Sequence, residues 1–176
     1  MIKFSAKEIS AYGILTGFAL TMHLVENLFL VGWGPPGARL GLANIVTLML
    51  LVSAGFRPAL IVTVLRVIMG SFFGGTFLAM GFWMSISGGI GSTVLMGLIM
   101  LLNKKTDARF VGIAGAITHN LCQLAVAYMF FGAAILYYTP NLVLFALPTG
   151  LITGTVVQKS RTAIGDFMYW GGSHGP

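Results

Sequence analysis

Apolar positions in this chain gather into blocks long enough to cross a bilayer, separated by short polar or glycine-rich joints. Six such blocks are legible, at residues 9–31, 40–56, 59–78, 81–102, 110–131 and 141–157. The second and sixth lie near the lower limit of ~17 residues for a spanning helix. The pattern predicts an all-α integral membrane protein, a six-transmembrane-helix bundle in one domain over residues 1–160. A tail follows at 161–176, and its final GGSHGP reads as an appended remnant. The first block is expected to stay in the mature protein: its apolar run is too long for a signal peptide, and no small-residue cleavage site closes it.

Composition supports the bilayer as solvent, since 57% of the residues are hydrophobic and 8% are charged. A soluble domain carries about three times that share of charge. The few cations then orient the bundle, because short loops rich in Lys and Arg stay cytoplasmic. Lys3, Lys7, Arg57, Lys104, Lys105, Arg109, Lys159 and Arg161 all fall on one side of the predicted spans, and Arg39 falls on the other. Both termini are therefore expected in the cytoplasm. The net charge of +6 has this topological cause, and no nucleic acid is expected as partner, for lack of a solvated basic reading surface. The single cysteine, Cys122, lies within a span, so neither a disulfide within the chain nor a cysteine metal cluster can form. No metal and no cofactor of its own is expected.

On this topology the polar residues fall together. His23, Glu26 and Asn27 share a face in the outer half of the first span, at spacings of three and four. Arg39 opens the second span, with Asn44 about a turn further in. Arg66 lies near the middle of the third, and His119, Asn120 and Gln123 near the middle of the fifth, on one face with Gly112, Ala116 and Ala127. Polar groups on four spans, all between midplane and outer surface, point to a shared cavity opening outward. The competing explanation is structural: His, Asn and Gln also tie membrane helices together, each bond contributing roughly 0.6 to 2 kcal/mol. Arginine and glutamate sharpen the choice, because an unpaired charge near the bilayer centre costs about 2.5 to 3.5 kcal/mol even on the lenient insertion scale. Glu26 is the expected partner of Arg66, leaving Arg39 for an anionic ligand or a membrane-lipid headgroup.

Glycines add two readings. GSFFGGTF in the third span and SISGGIGS in the fourth, with Ser85 and Ser87, mark either close helix packing or interrupted helices whose free N–H groups face a substrate. AYGILTGFA places Gly13 and Gly17 four apart on the first span, a spacing that lets another helix approach closely.

Taken together, PGARLGLANIVTLMLL, LRVIMGSFFGGTF, SISGGIGS, GAITHNLCQLAVAY and YYTPNLVLFALPTGLITG resemble the membrane family labelled Gx transporter, also labelled heptaprenyl diphosphate synthase component I. That family is similar to the S components of energy-coupling factor transporters. The resemblance implies six helices, an outward-facing site for a small vitamin-like or cofactor-precursor ligand, and a small-residue stripe on helix one. Arg39, Asn44, Arg66, His119, Asn120 and Gln123 would line the site. Gly13 and Gly17 would dock a transmembrane coupling subunit carrying ATPases, with glycine where S components use alanine. A multi-pass place in the plasma membrane of a prokaryote follows; the ligand is not fixed by the resemblance, and the aromatic content and the arginines make flavin-like or prenyl-linked compounds the leading ligands.

Autonomous enzyme activity is not expected. Prenyl diphosphate synthases hold magnesium on clustered carboxylates, whereas the four acidic residues here, Glu8, Glu26, Asp107 and Asp166, are scattered. A synthase role would be accessory. The chain also lacks the phosphate-binding loop of an ATPase. Membership of a flavin-linked electron-transfer complex is a further alternative, although His23 and His119 lie at different depths, which is awkward for a shared haem.

Overall fold

The computed structural model describes residues 5–30, 42–103 and 105–169, without the side chains of residues 7, 27–30, 42, 43 and 161–169. These residues form helices α1 (Ala6–Leu30), α2 (Leu42–Ser53), α3 (Phe56–Phe73), α4 (Met80–Leu102), α5 (Ala108–Phe131) and α6 (Thr139–Tyr169), with a 3-10 segment at Gly132–Tyr138. No strand occurs among the described residues.

Local chemistry sets most of the ends. Ser5 and Glu8 form a capping box at α1: the Ser5 N–H donates to Glu8 Oε2 at 2.8 Å, and the Glu8 N–H to Ser5 Oγ at 3.2 Å. Gly55 turns α2 into α3 at φ +91°, where other residues are strained, and Pro58 follows in the first turn of α3, where a missing N–H costs nothing. Asp107 caps α5 by accepting from the Arg109 N–H at 2.8 Å.

Three helices depart from the predicted blocks. Helix α2 has 12 residues, about 18 Å at 1.5 Å per residue, short of the ~30 Å hydrocarbon core. Helix α3 stops at Phe73 because Gly74 and Gly75 follow, the latter at φ +65°. Helix α6 runs on to Tyr169, past both the predicted end at 157 and the expected boundary at 160. Four stretches are long and apolar enough to span: Glu8–Glu26, Phe56–Phe73, Met80–Leu102, and Ala108–Ser160, which joins α5 to α6; α2 is a shorter apolar helix.

Large apolar side chains cover the surface as well as filling the core. Ile14, Phe72, Leu102 and Met129 are exposed, whereas Thr63, Ser92 and Thr93 are fully buried. Water would make such a surface a liability, and a bilayer requires it. The chain is a multi-pass membrane protein. Helices α3, α4, α5 and α6 pack in sequence, and α6 returns to α2, which also meets α3 and α4; α1 lies against α2 and α3. The main apolar core, built around Leu48, Leu50, Val62, Met96, Val111 and Val157, occupies the end of the bundle where α4 meets α5. A second cluster, Met84, Leu124, Ala127, Ile135 and Leu142, closes the opposite end between α4, α5 and α6. The polar residues lie between and beside these two cores.

Candidate functional site

Helix α4 is the hinge of the polar layer. Successive residues on a helix point about 100° apart, so adjacent glycines at 88 and 89 face different neighbours. A methyl group on Gly88 would fall 2.9 Å from Gln123 Cγ and 3.0 Å from His119 Nε2, both on α5. One on Gly89 would fall 2.9 Å from Thr63 Cγ2 and 3.8 Å from Arg66 Nη2, both on α3. The two glycines thus admit an arginine on one side of α4 and a histidine and a glutamine on the other. Both pairs reach the interior, with Arg66 and His119 at 3% and 5% exposure.

Helix α4 is continuous through this run, so of the two readings of SISGGIGS close packing holds and the interrupted helix does not: its glycines are consumed by close packing. Its serines bond backbone. Ser85 Oγ donates to Gly81 O at 2.6 Å, and Ser87 Oγ lies 3.0 Å from Met84 O and 3.1 Å from Cys122 O, tying α4 to α5. In α3 only Gly70 of GSFFGGTF is a packing position, because Gly74 and Gly75 lie in the turn beyond the helix.

On the other flank, α1 meets α3 through His23. A methyl group on Gly70 would fall 2.6 Å from His23 Cδ2. Glu26, one turn along α1, is 2% exposed, and Arg66 is one turn from Gly70 on α3. His23, Glu26, Arg66, Ser85, His119 and Gln123 are all engaged by neighbours rather than free. Helix α1 also presents Asn27, but its side chain lies outside the described residues, as does Arg39 altogether.

Below Arg66 runs a feature that the sequence reading missed. Thr47 Oγ1 and Thr63 Oγ1 are 2.9 Å apart, Thr93 Oγ1 lies 3.4 Å from Thr63 Oγ1, and Thr93 donates to Gly89 O at 2.7 Å. These hydroxyls link α2, α3 and α4 at the bundle centre. A faint signal existed, in that Thr63 precedes Arg66 by three residues and Thr93 follows Gly89 by four, each on a shared helical face.

Two of the expected site residues differ from the rest. Asn120 is 3% exposed and its Nδ2 donates to Leu142 O at 3.0 Å, a bond between α5 and α6. Asn44, on α2 at 5% exposure, has an Oδ1 that accepts no hydrogen bond from the described residues. A buried acceptor left so costs about 1–3 kcal/mol.

Residues 15–160 match the family model described as heptaprenyl diphosphate synthase component I. The chain belongs to that family. No curated protein and no solved structure matches it. In this member of the component I family the acidic residues described stand apart: Glu8 in the α1 capping box, Glu26 buried further along α1, and Asp107 at the start of α5.

Proposed function

We propose that the chain is the substrate-binding subunit of an energy-coupling-factor-type transporter, taking a small, partly anionic vitamin-like ligand or cofactor precursor from the outer side. In this reading the six-helix bundle sits in the plasma membrane of a prokaryote, with both termini in the cytoplasm. The observation that carries it is the buried polar layer on two flanks of α4, Arg66 beside Gly89 and His119 with Gln123 beside Gly88, together with the buried Asn44 Oδ1 on α2, which accepts no hydrogen bond from the described residues. Polar and ionisable groups inside a membrane protein mark substrate paths by default. An arginine suits a carboxylate or phosphate on the ligand, and His119, Gln123 and Asn44 suit a polar heteroaromatic or amide edge. His23, Glu26, Ser85 and Ser87 border the same layer. Asn27 and Arg39 are proposed at its outer rim. Asn120 enters as an α5–α6 tie.

Uphill transport needs an engine from elsewhere, because the sequence carries no phosphate-binding loop. Gly13 and Gly17 supply the contact. Both are exposed, with nothing within 4 Å of an added methyl group, and Ile9, Ile14 and Phe18 flank them. A coupling subunit with its ATPases is the proposed partner. Replacing both glycines by Leu should abolish co-purification with a coupling subunit and leave the bound small molecule in place. Loss of the small molecule with retention of the partner would reverse the assignment of the two faces.

A further inference from the structure

A groove of about 850 Å³ lies away from the polar layer, at the end of the bundle where α2 turns into α3. Leu51, Val52, Phe56, Val94, Leu98 and Leu101 line it, with glycines at 55 and 97. Phe56 sits directly over Gly97, where a methyl group would fall 2.6 Å from its ring. The side chains that line it, Met100 included, are apolar, which suits a hydrocarbon occupant. A helix turn occupies roughly 420 Å³ by its ~10 Å diameter and 5.4 Å pitch, so the groove holds about two turns, far short of the ~20 residues of a membrane-crossing partner. Its volume lies within the range of a small-molecule site.

One end of the groove is basic. Arg57, exposed, follows the lining residue Phe56 in the first turn of α3, and Lys105, also exposed, lies in the segment after α4, at the end of that helix that carries Leu101. The start of α3 adds to this field, since Gly55 provides no side-chain cap for its N–H groups. The three acidic residues described lie elsewhere, apart from Asp107, which is held by Arg109 at 3.4 Å.

We infer that this groove is a binding site for an anionic phospholipid, an acyl chain along α4 and the phosphate headgroup at Arg57 and Lys105. Basic pockets at helix ends recognise such headgroups, each cation contributing about 1 kcal/mol, or roughly fivefold in affinity.

Native mass spectrometry of the whole protein, released from mild detergent after exchange into phosphatidylglycerol, phosphatidylcholine or geranylgeranyl diphosphate, tests this. Phosphatidylglycerol should be retained in preference to phosphatidylcholine, and Arg57→Gln should reduce that preference about fivefold. Leu98→Trp should displace both phospholipids by filling the groove; Leu101→Trp, at its exposed end, replaces it if that variant does not fold. Equal retention of the two phospholipids, an unchanged preference in Arg57→Gln, or unchanged retention with the groove filled would overturn the site. So would retention of geranylgeranyl diphosphate over phosphatidylglycerol, which would assign the groove to a prenyl chain. None of these results touches the ligand in the polar layer, which is read separately as a small soluble molecule.

Discussion

Replacing Asn120 by Leu should weaken the bundle without weakening ligand binding, while the same change at Gln123, three residues along, should do the reverse. Asn120 Nδ2 reaches Leu142 O across the α5–α6 interface at 3.0 Å. Interhelical hydrogen bonds in membrane proteins contribute roughly 0.6 to 2 kcal/mol. Leu142 lies within α6, so its carbonyl keeps a helical partner and no orphaned acceptor adds to the loss. For a chain of this size each kcal/mol shifts the melting temperature by about 2–4 °C, so Asn120→Leu should melt ~1–8 °C below wild type in detergent. Gln123 instead faces Gly88 beside His119. Its loss should lower affinity by about 0.5 to 1.5 kcal/mol, and up to ~3 if a buried partner is left unsatisfied, which is roughly 2- to 150-fold. Fluorescence-monitored melting and equilibrium binding of the co-purified small molecule, well below the transition, read the two quantities. An Asn120→Leu protein that melts like wild type but binds weakly would refute the reasoning, because the α5–α6 bond would then contribute nothing and the amide would be serving the ligand.

Other consequences follow from the same contacts. Thr63→Val breaks the hydroxyl link between α2, α3 and α4 and should cost about 1 kcal/mol of stability, seen as a lower melting temperature with affinity unchanged. Gly154→Leu should be among the most damaging changes in the chain, since a methyl group there already overlaps the α5 backbone at Ala108 and Arg109; overpacking of ~1–3 kcal/mol or more is expected, read as loss of monodisperse protein on size exclusion. Glu8→Ala removes one half of the α1 capping box at an exposed site and should lower stability by only ~0.5–1 kcal/mol, with co-purification of a coupling subunit unaffected.

Much of this was legible before the fold was seen, and the exceptions are instructive. Long apolar blocks specify helices strongly, so α1, α4 and α5 lie within a few residues of their predicted positions. Ends set by glycines are weaker signals, and α2 and α3 both stop before their predicted ends, ahead of Gly55 and Gly74. Periodicity could place His119, Asn120 and Gln123 on one buried face, but a face about 100° wide meets two neighbours at once. Sequence spacing cannot say that Asn120 turns to α6 while Gln123 turns to α4. The glycines of α4 posed the same ambiguity, since a flexible break and a tight crossing call for the same residue. The α5–α6 crossing, by contrast, was available to read: Gly150 and Gly154 repeat the spacing noticed at Gly13 and Gly17, and Gly112 packs against both.

The central claim is that the layer around Arg66, His119 and Gln123 holds a small molecule. It is tested most directly by untargeted small-molecule analysis of protein purified from its own membranes, comparing wild type with folded Arg66→Gln and Gln123→Leu variants. The expected result is one compound in near-stoichiometric amount with wild type, carrying an anionic group, and depleted severalfold in both variants. A compound recovered equally from all three proteins, or none from wild type while the variants differ from it only in melting temperature, would contradict the claim and leave the polar layer as a means of holding helices together.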